Sequence, residues 1–209
     1  RATAPLLVEA AQRLGVAAGR EQIRDAYTQA SRDMTFTYAD KAYYLHADFF
    51  HDTFKRFTEL LAAPHDEAVH DWYREAHRVA IIDCLVLKED CLDTLRHLKD
   101  AGLYLSVVSN IDDDMLEPLI AREGLEHLLD HWTSSEAAQS CKPDRRFFEI
   151  ALERSGLAPG EVLFVGDSPE HDIIGANAVG MRTALILDGG IPPPLQTGRI
   201  NVSATHNIA

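Results

Sequence analysis

The chain divides by the pattern of its apolar positions. Up to about residue 84 they recur every three or four places, and no strand pattern occurs. Pro5 to Leu14, closed by Gly15, carries Leu6, Leu7, Ala10, Ala11 and Leu14 on one helical stripe, and Glu21 to Ala30 continues in the same manner. Asp40 to Leu61 is richer in aromatics, with Tyr43, Tyr44, Phe49, Phe50, Phe54 and Phe57, more than one narrow stripe holds. Pro64 interrupts the pattern, and Asp66 to Ala80 resumes it through Val69, Trp72, Tyr73, Ala76 and Val79. Four helices forming a small bundle are predicted, a separate lobe over residues 1–84.

From Leu85 helices alternate with strands. Glu89 to Ala101 is predicted helical, with Cys91, Leu92, Leu95 and Leu98 inward and Gly102 as its stop. Leu103 to Val108 is a strand of buried type ending in Ser109-Asn110, and Asp112 to Asp114 precede the next helix as its caps. Trp132 to Ser134 is a short strand, and Lys142-Pro143-Asp144 opens a helix through Phe147, Phe148 and Ile150. The alternation predicts an α/β, doubly wound parallel sheet over residues 85–209. Beyond Gly189 the chain is loop, with a last edge strand at Ile200 to Ala204.

The stretch Glu161 to Leu187 is the densest in signals. Val162 to Val165 reads as a strand buried on both faces, and Ser168 and Pro169 open a helix that runs to about Val179 and ends at Gly180. Thr183 to Leu187 is a second strand. Asp167 ends the first strand and Asp172 lies in the first helical turn, so both face the crevice where open α/β sheets bind ligands. Two carboxylates, a hydroxyl and free helix amides suit a hard cation with a phosphate beside it; Asp167 and Ser168 serve equally as caps on this stretch alone.

Composition narrows the picture. In 209 residues, 46% hydrophobic, there is room for one substantial core and a satellite. Lys+Arg 20 against Asp+Glu 33 gives a net charge of -13, which argues against nucleic acid or an anionic membrane as the main partner. No run approaches a membrane span and no signal pattern opens the chain, so a cytoplasmic location is expected. Cys84, Cys91 and Cys141 make no disulfide framework. His46 and His51, like His65 and His70, are five apart and so on different helix faces, which favours packed or solvated imidazoles over a metal cluster.

Ser109-Asn110 after one strand, Lys142 at a helix start, and Asp167 with Asp172 after another strand form an ordered set that resembles the haloacid dehalogenase-like hydrolase superfamily. The resemblance spans Leu85 to Leu187, and the helical lobe looks like the cap of many members. It implies that Ser109 and Asn110 hold phosphate oxygens, that Lys142 offsets charge between phosphate and nucleophile, and that Asp167 and Asp172 bind Mg²⁺. The reaction it implies is phosphomonoester hydrolysis of a small phosphorylated metabolite through an aspartyl-phosphate. A metal-free 2-haloacid dehalogenase and a non-catalytic binding protein are the alternatives; the acids in Gly166-Asp167-Ser168-Pro169-Glu170-His171-Asp172 favour the phosphatase. His171 stands where relatives often carry Asn.

The resemblance also implies a first motif, a strand followed by an Asp-x-Asp-Gly-Thr type loop, ahead of the cap. The 209 residues do not contain it in that position, and Asp112-Asp113-Asp114 lacks the Gly-Thr. Roughly ten to fifteen residues upstream of Arg1 are therefore expected to supply a central strand and the nucleophile. The 209-residue chain alone is expected not to turn over phosphate esters.

Overall fold

The computed structural model describes residues 3–186 and the backbone of 206–208. The chain forms two compact units: one holds the residues to Leu103 together with Ile111–Leu128, the other Tyr104–Asn110 and the residues from Leu129 onward. The predicted strand at Ile200 to Ala204 lies outside the described residues.

The first unit is helical: α1 (Ala4–Arg13), α2 (Arg20–Tyr38), α3 (His46–Leu60), α4 (Glu67–Cys84), α5 (Cys91–Asp100) and α6 (Asp113–Arg122). Local chemistry sets several ends. Pro5 suits the first turn of α1, Gly15 follows it at φ 70°, and the Asp66 carboxylate accepts the Ala68 and Val69 amides at the start of α4. The core joins Leu7, Ala10, Ile23, Ala30, Phe57 and Tyr73, with the Tyr73 ring stacked on Phe54 at 3.8 Å between centroids. Burial of Ala30 and Tyr38 carries α2 eight residues past its predicted end, because tertiary packing outweighs a polar local composition. Helix α6 is tied to the end of α4 by Arg122, whose Nη1 donates to Ile82 O at 2.7 Å. Helix α5 has the predicted span within two residues, but its apolar stripe is not fully buried and Leu98 stays exposed: the pattern dictates the helix, whereas burial needs a facing surface.

Asp112 departs from expectation. Its side chain makes no cap on α6; it accepts the amides of His46 (2.8 Å) and Ala47 (2.7 Å) at the start of α3. That capping explains why α3 begins at His46, not near Asp40.

Among the described residues the second unit holds the strands: β1 (Ser106–Ser109), β2 (His131–Ser134), β3 (Leu163–Gly166), β4 (Arg182–Ile186) and β5 (His206–Ile208), with helices α7 (Ser135–Ala138), α8 (Arg145–Ser155) and α9 (Gly175–Ala178). Every pairing is parallel. β1 pairs β2 from Ser106 opposite His131 to Ser109 opposite Ser134, and a separate sheet has the order β3-β4-β5. α8 packs Phe147 and Phe148, both wholly buried, with Ala176 and Met181, and Phe164 of β3 sits edge-on to Phe148 at 5.2 Å. Strand β3 is not buried on both faces: Phe164 packs on α8, while Leu163 and Val165 on the opposite face are 47% and 48% exposed. β1 likewise starts three residues later than predicted, with Leu103 and Tyr104 exposed. Among the described residues β1 pairs only with β2, and β3 only with β4. No helix among them is long and apolar enough to cross a membrane.

Candidate active site

Three chain segments converge at the carboxyl ends of β1 and β3. Ser109 is the last residue of β1 and is half-buried there; Asn110 follows it. The Asn110 side chain clamps the backbone of Lys142, its Oδ1 accepting the Lys142 amide at 2.7 Å and its Nδ2 donating to the Lys142 carbonyl at 2.9 Å. An amide side chain has both a donor and an acceptor, which is why Asn can hold one residue twice. The Lys142-Pro143 peptide is cis, and Asp144 then caps α8 by accepting the Arg146 amide at 2.8 Å. The sequence reading gave Asn110 a backbone role only; the clamp is an additional one.

Lys142 reaches across the site. Its Nζ donates to Val108 O (3.2 Å) and to Asp172 Oδ1 (2.6 Å), and both charged side chains are largely buried. An ammonium has three donors, so one remains for a ligand. Asp172 is held equally firmly: its Oδ2 accepts the Ser168 amide at 3.0 Å. The carboxylate lies so close to β3 that a Cβ on Gly166 would come within 2.6 Å of Asp172 Cβ and also collide with its carboxyl group. Gly166 is therefore part of the site, and a glycine closing a strand is the signal that points to such close approach. Gly175 has a similar role one turn on, where a Cβ would strike the Phe148 ring and lie 2.9 Å from Pro143 O.

Asp167 stands exposed at the end of β3. Ser168 caps the helical turn after it, its Oγ accepting the His171 amide at 3.2 Å, while His171 Nδ1 lies 3.0 Å from the same Oγ. Asp172 N and Ile173 N both reach Ser168 O, making this a wide first turn from Pro169 to Ile174 before α9. The donor set fits Mg²⁺ in one respect. That ion takes one or two carboxylates and otherwise water and phosphate oxygens; Asp167 offers such a carboxylate, whereas both Asp172 oxygens are engaged. Among the described residues no group of three His, Cys, Asp or Glu side chains is placed to hold a metal.

The five site residues read from the sequence thus fall in one unit, and the structure links Asn110, Lys142 and Asp172 directly. His46, His51, His65 and His70 lie in the helical unit, where tertiary packing brings together what spacing separated: His51 and His65 flank His70 at 5.9 and 5.0 Å between ring centroids. Cys141 is buried, Cys91 half-buried and Cys84 exposed, and none of the three is in a disulfide.

The description "haloacid dehalogenase-like hydrolase" matches residues 2–180. A ribulose-1,5-bisphosphate 5-phosphatase of Halopiger xanaduensis is 31% identical over 186 residues, covering 85% of this chain and 73% of the relative. An (S)-2-haloacid dehalogenase 4A of Burkholderia cepacia is 36% identical over 104 residues, covering 50% of this chain. The chain spans less than half the length of that relative, 45%. The fold resembles the magnesium-bound HAD-hydrolase YfnB of Bacillus subtilis at TM-score 0.73 and 16% identity, covering 99% of this chain and 86% of that one. A HAD phosphatase from Thermococcus onnurineus follows at TM-score 0.67 and 21% identity, covering 98% and 82%. With its parallel α/β unit, its helical unit and its ordered serine, lysine and paired acids, this chain belongs to the haloacid dehalogenase-like hydrolase family.

Proposed function

We propose that the protein is a Mg²⁺-dependent phosphomonoester hydrolase of a small phosphorylated metabolite. The observation that carries this reading is the exposed Asp167 carboxylate at the end of β3, next in sequence to Ser168, whose amide holds the Asp172 carboxylate paired with Lys142. Residues 1–84 serve as a cap and residues 85–209 as the catalytic core, the division drawn from the sequence pattern. Asp167 is the chain's Mg²⁺ ligand, and the cation would supply charge neutralisation at the phosphoryl oxygens. Asp172 contributes to that site chiefly by fixing Lys142.

The remaining roles follow from donor geometry. The Ser109 hydroxyl and the Asn110 backbone amide at the end of β1 hydrogen-bond phosphate oxygens. The third Lys142 proton lies between phosphate and nucleophile, where a preorganised cation stabilises the charge that develops in the transition state. An aspartate carboxylate attacks phosphorus as the ester P–O bond breaks, and the leaving oxygen takes a proton from water to depart as the alcohol; a water molecule then hydrolyses the acyl phosphate, releasing inorganic phosphate and restoring the carboxylate. The nucleophile is the aspartate that the first motif of the family supplies, and it is not among the site residues described above.

The test is turnover by the full-length protein on p-nitrophenyl phosphate and a panel of sugar phosphates, with and without Mg²⁺. Turnover should need the cation and fall by orders of magnitude in Asp167→Asn. Halide release from 2-chloropropionate in EDTA, undiminished in Asp167→Asn, would make the protein a dehalogenase and overturn the proposal.

A further inference from the structure

The helical unit contains a pocket of about 120 Å³ built wholly from its own residues. Phe50, Phe54, His70, Tyr73, His77 and Met115 form its apolar walls. Phe54 and Tyr73 are stacked, Phe50 lies 4.6 Å from the His77 ring, and His70 meets Phe54 edge-on at 4.9 Å. His70 is only 3% exposed, yet neither ring nitrogen has a hydrogen-bond partner among the described residues. Buried polar atoms are nearly always paired, so an imidazole left with both nitrogens open on a pocket wall is matched to something that enters the pocket.

The charges around the pocket select the kind of ligand. Arg74 is paired with Asp71 at 2.8 Å and Arg78 with Glu75 at 2.7 Å, so each guanidinium is balanced by a neighbouring carboxylate and the two bring no net positive charge to the pocket. The Asp112 carboxylate is occupied by the His46 and Ala47 amides and is not offered to a cation. Burial holds His70 and His77 below the ordinary imidazole range, so near pH 7 they present neutral rings, each with one donor and one acceptor. The volume is about four-fifths of the ~150 Å³ apolar cavity that holds benzene, and the pocket is open on one side, so it takes a single six-membered ring that is not wholly enclosed.

We propose that the helical unit carries a ligand site of its own for a single uncharged aromatic ring bearing one hydrogen-bonding group, of the phenol class, with the ring packed among Phe50, Phe54 and Tyr73 and the polar group bonded to His70.

Phenol is the probe and benzene its apolar control, each titrated into the full chain at pH 7.5 while the His70 ring-proton NMR signals are followed. Phenol should shift them saturably, with half-saturation on the order of 1 mM for a seven-heavy-atom ligand. His70→Phe keeps the ring and removes the hydrogen bond, and should weaken phenol at least about tenfold while changing benzene little. Met115→Trp fills the pocket from α6 and should abolish binding of both, with the helical circular dichroism kept; this variant decides the matter if His70→Phe does not fold. Linear, unsaturable shifts, or phenol affinity that survives both substitutions, would show a pocket that holds only water and overturn the proposal.

Discussion

Replacing Gly166 by alanine adds one methyl group to the strand that ends at the candidate site, and the structure says where that methyl goes. It lands on Asp172, inside contact distance of Cβ, Cγ and Oδ2. The backbone at Gly166 is not left-handed, so the cost is one of space, not of conformation. Asp172 must move, and when it does Lys142 retains only Val108 O and the Ser168 amide loses its acceptor. Removing one partner of a buried ion pair costs about 3–5 kcal/mol, and overpacking a full site alone costs about 1–3 kcal/mol. We therefore expect a loss of at least about 3 kcal/mol in the unit that contains β3. A Trp72→Phe background leaves Trp132, in β2, as the single tryptophan and hence as a reporter of that unit. With urea m-values of about 1–3 kcal/mol per M, the fluorescence midpoint should fall by about 1–3 M. The decisive control is the same substitution in an Asp172→Gly background, where the colliding atoms are gone and the added methyl should cost under about 1 kcal/mol. Equal cost in the two backgrounds would refute the steric argument.

Three further outcomes follow. Asp112→Ala should release the first amides of α3, speeding hydrogen exchange at His46 and Ala47 and costing about 1.5–3 kcal/mol, as hydrogen bonds to a charged acceptor do; unchanged exchange there would contradict the capping seen at His46 and Ala47. Burial first, and then the neighbouring His65 and His51, hold His70 below its ordinary value of 6.5, and burial does the same to His77. The unfolded chain therefore binds more protons below pH 6.5, so stability should be flat above that pH and fall on acidification by at most about 1.4 kcal/mol per pH unit for each histidine; in His70→Phe a pH titration of Tm should show a shallower fall. Lys142→Arg in the full-length protein should keep the charge yet lower kcat by at least about tenfold, because a planar fork cannot span Val108 O, Asp172 and a phosphate as a compact ammonium does; near-normal kcat would remove Lys142 from the chemistry.

The residues legible in the sequence are those whose role is local. Lys142 precedes a helix start, Ser109 and Asp167 close runs of β-formers, and each position follows from chain direction alone. Ser168 caps the helical turn that follows it, as its position predicts, and Asp144 caps α8 at the predicted helix start. What escaped is what the chain brings together from afar. The Asn110 clamp spans 32 residues and the Lys142–Asp172 pair 30, and neither leaves a periodic trace. The histidines make the same point in reverse. Five-residue spacing does place His65 and His70 on different faces of an ideal helix, but His65 precedes α4 and folds back beside His70, while His51 arrives from α3. Burial of β3 was over-read because a continuous apolar run shows that a strand forms, not that both of its faces are covered.

Asp112 shows how the local rule misleads and what would have corrected it. An acid just ahead of a helix is read as that helix's cap, and Asp112 does occupy the cap position of α6. Yet α6 already carries Asp113 and Asp114 in its first turn, so its positive end is served without a third acid. Helix α3 has the opposite problem: Leu45 stands at its cap position with no side-chain oxygen, so its leading amides need an acceptor from elsewhere. A helix start without a capping residue is itself a sequence signal, one that asks for a distant acid. The hydrogen bonds from His46 and Ala47 outweigh the cost of burial, so Asp112 stays ionised below the ordinary carboxylate range. Its charge is thus kept for α3 at lower pH than an ordinary carboxylate would keep it, and the start of α3 is held by the residue that the local rule assigns to α6.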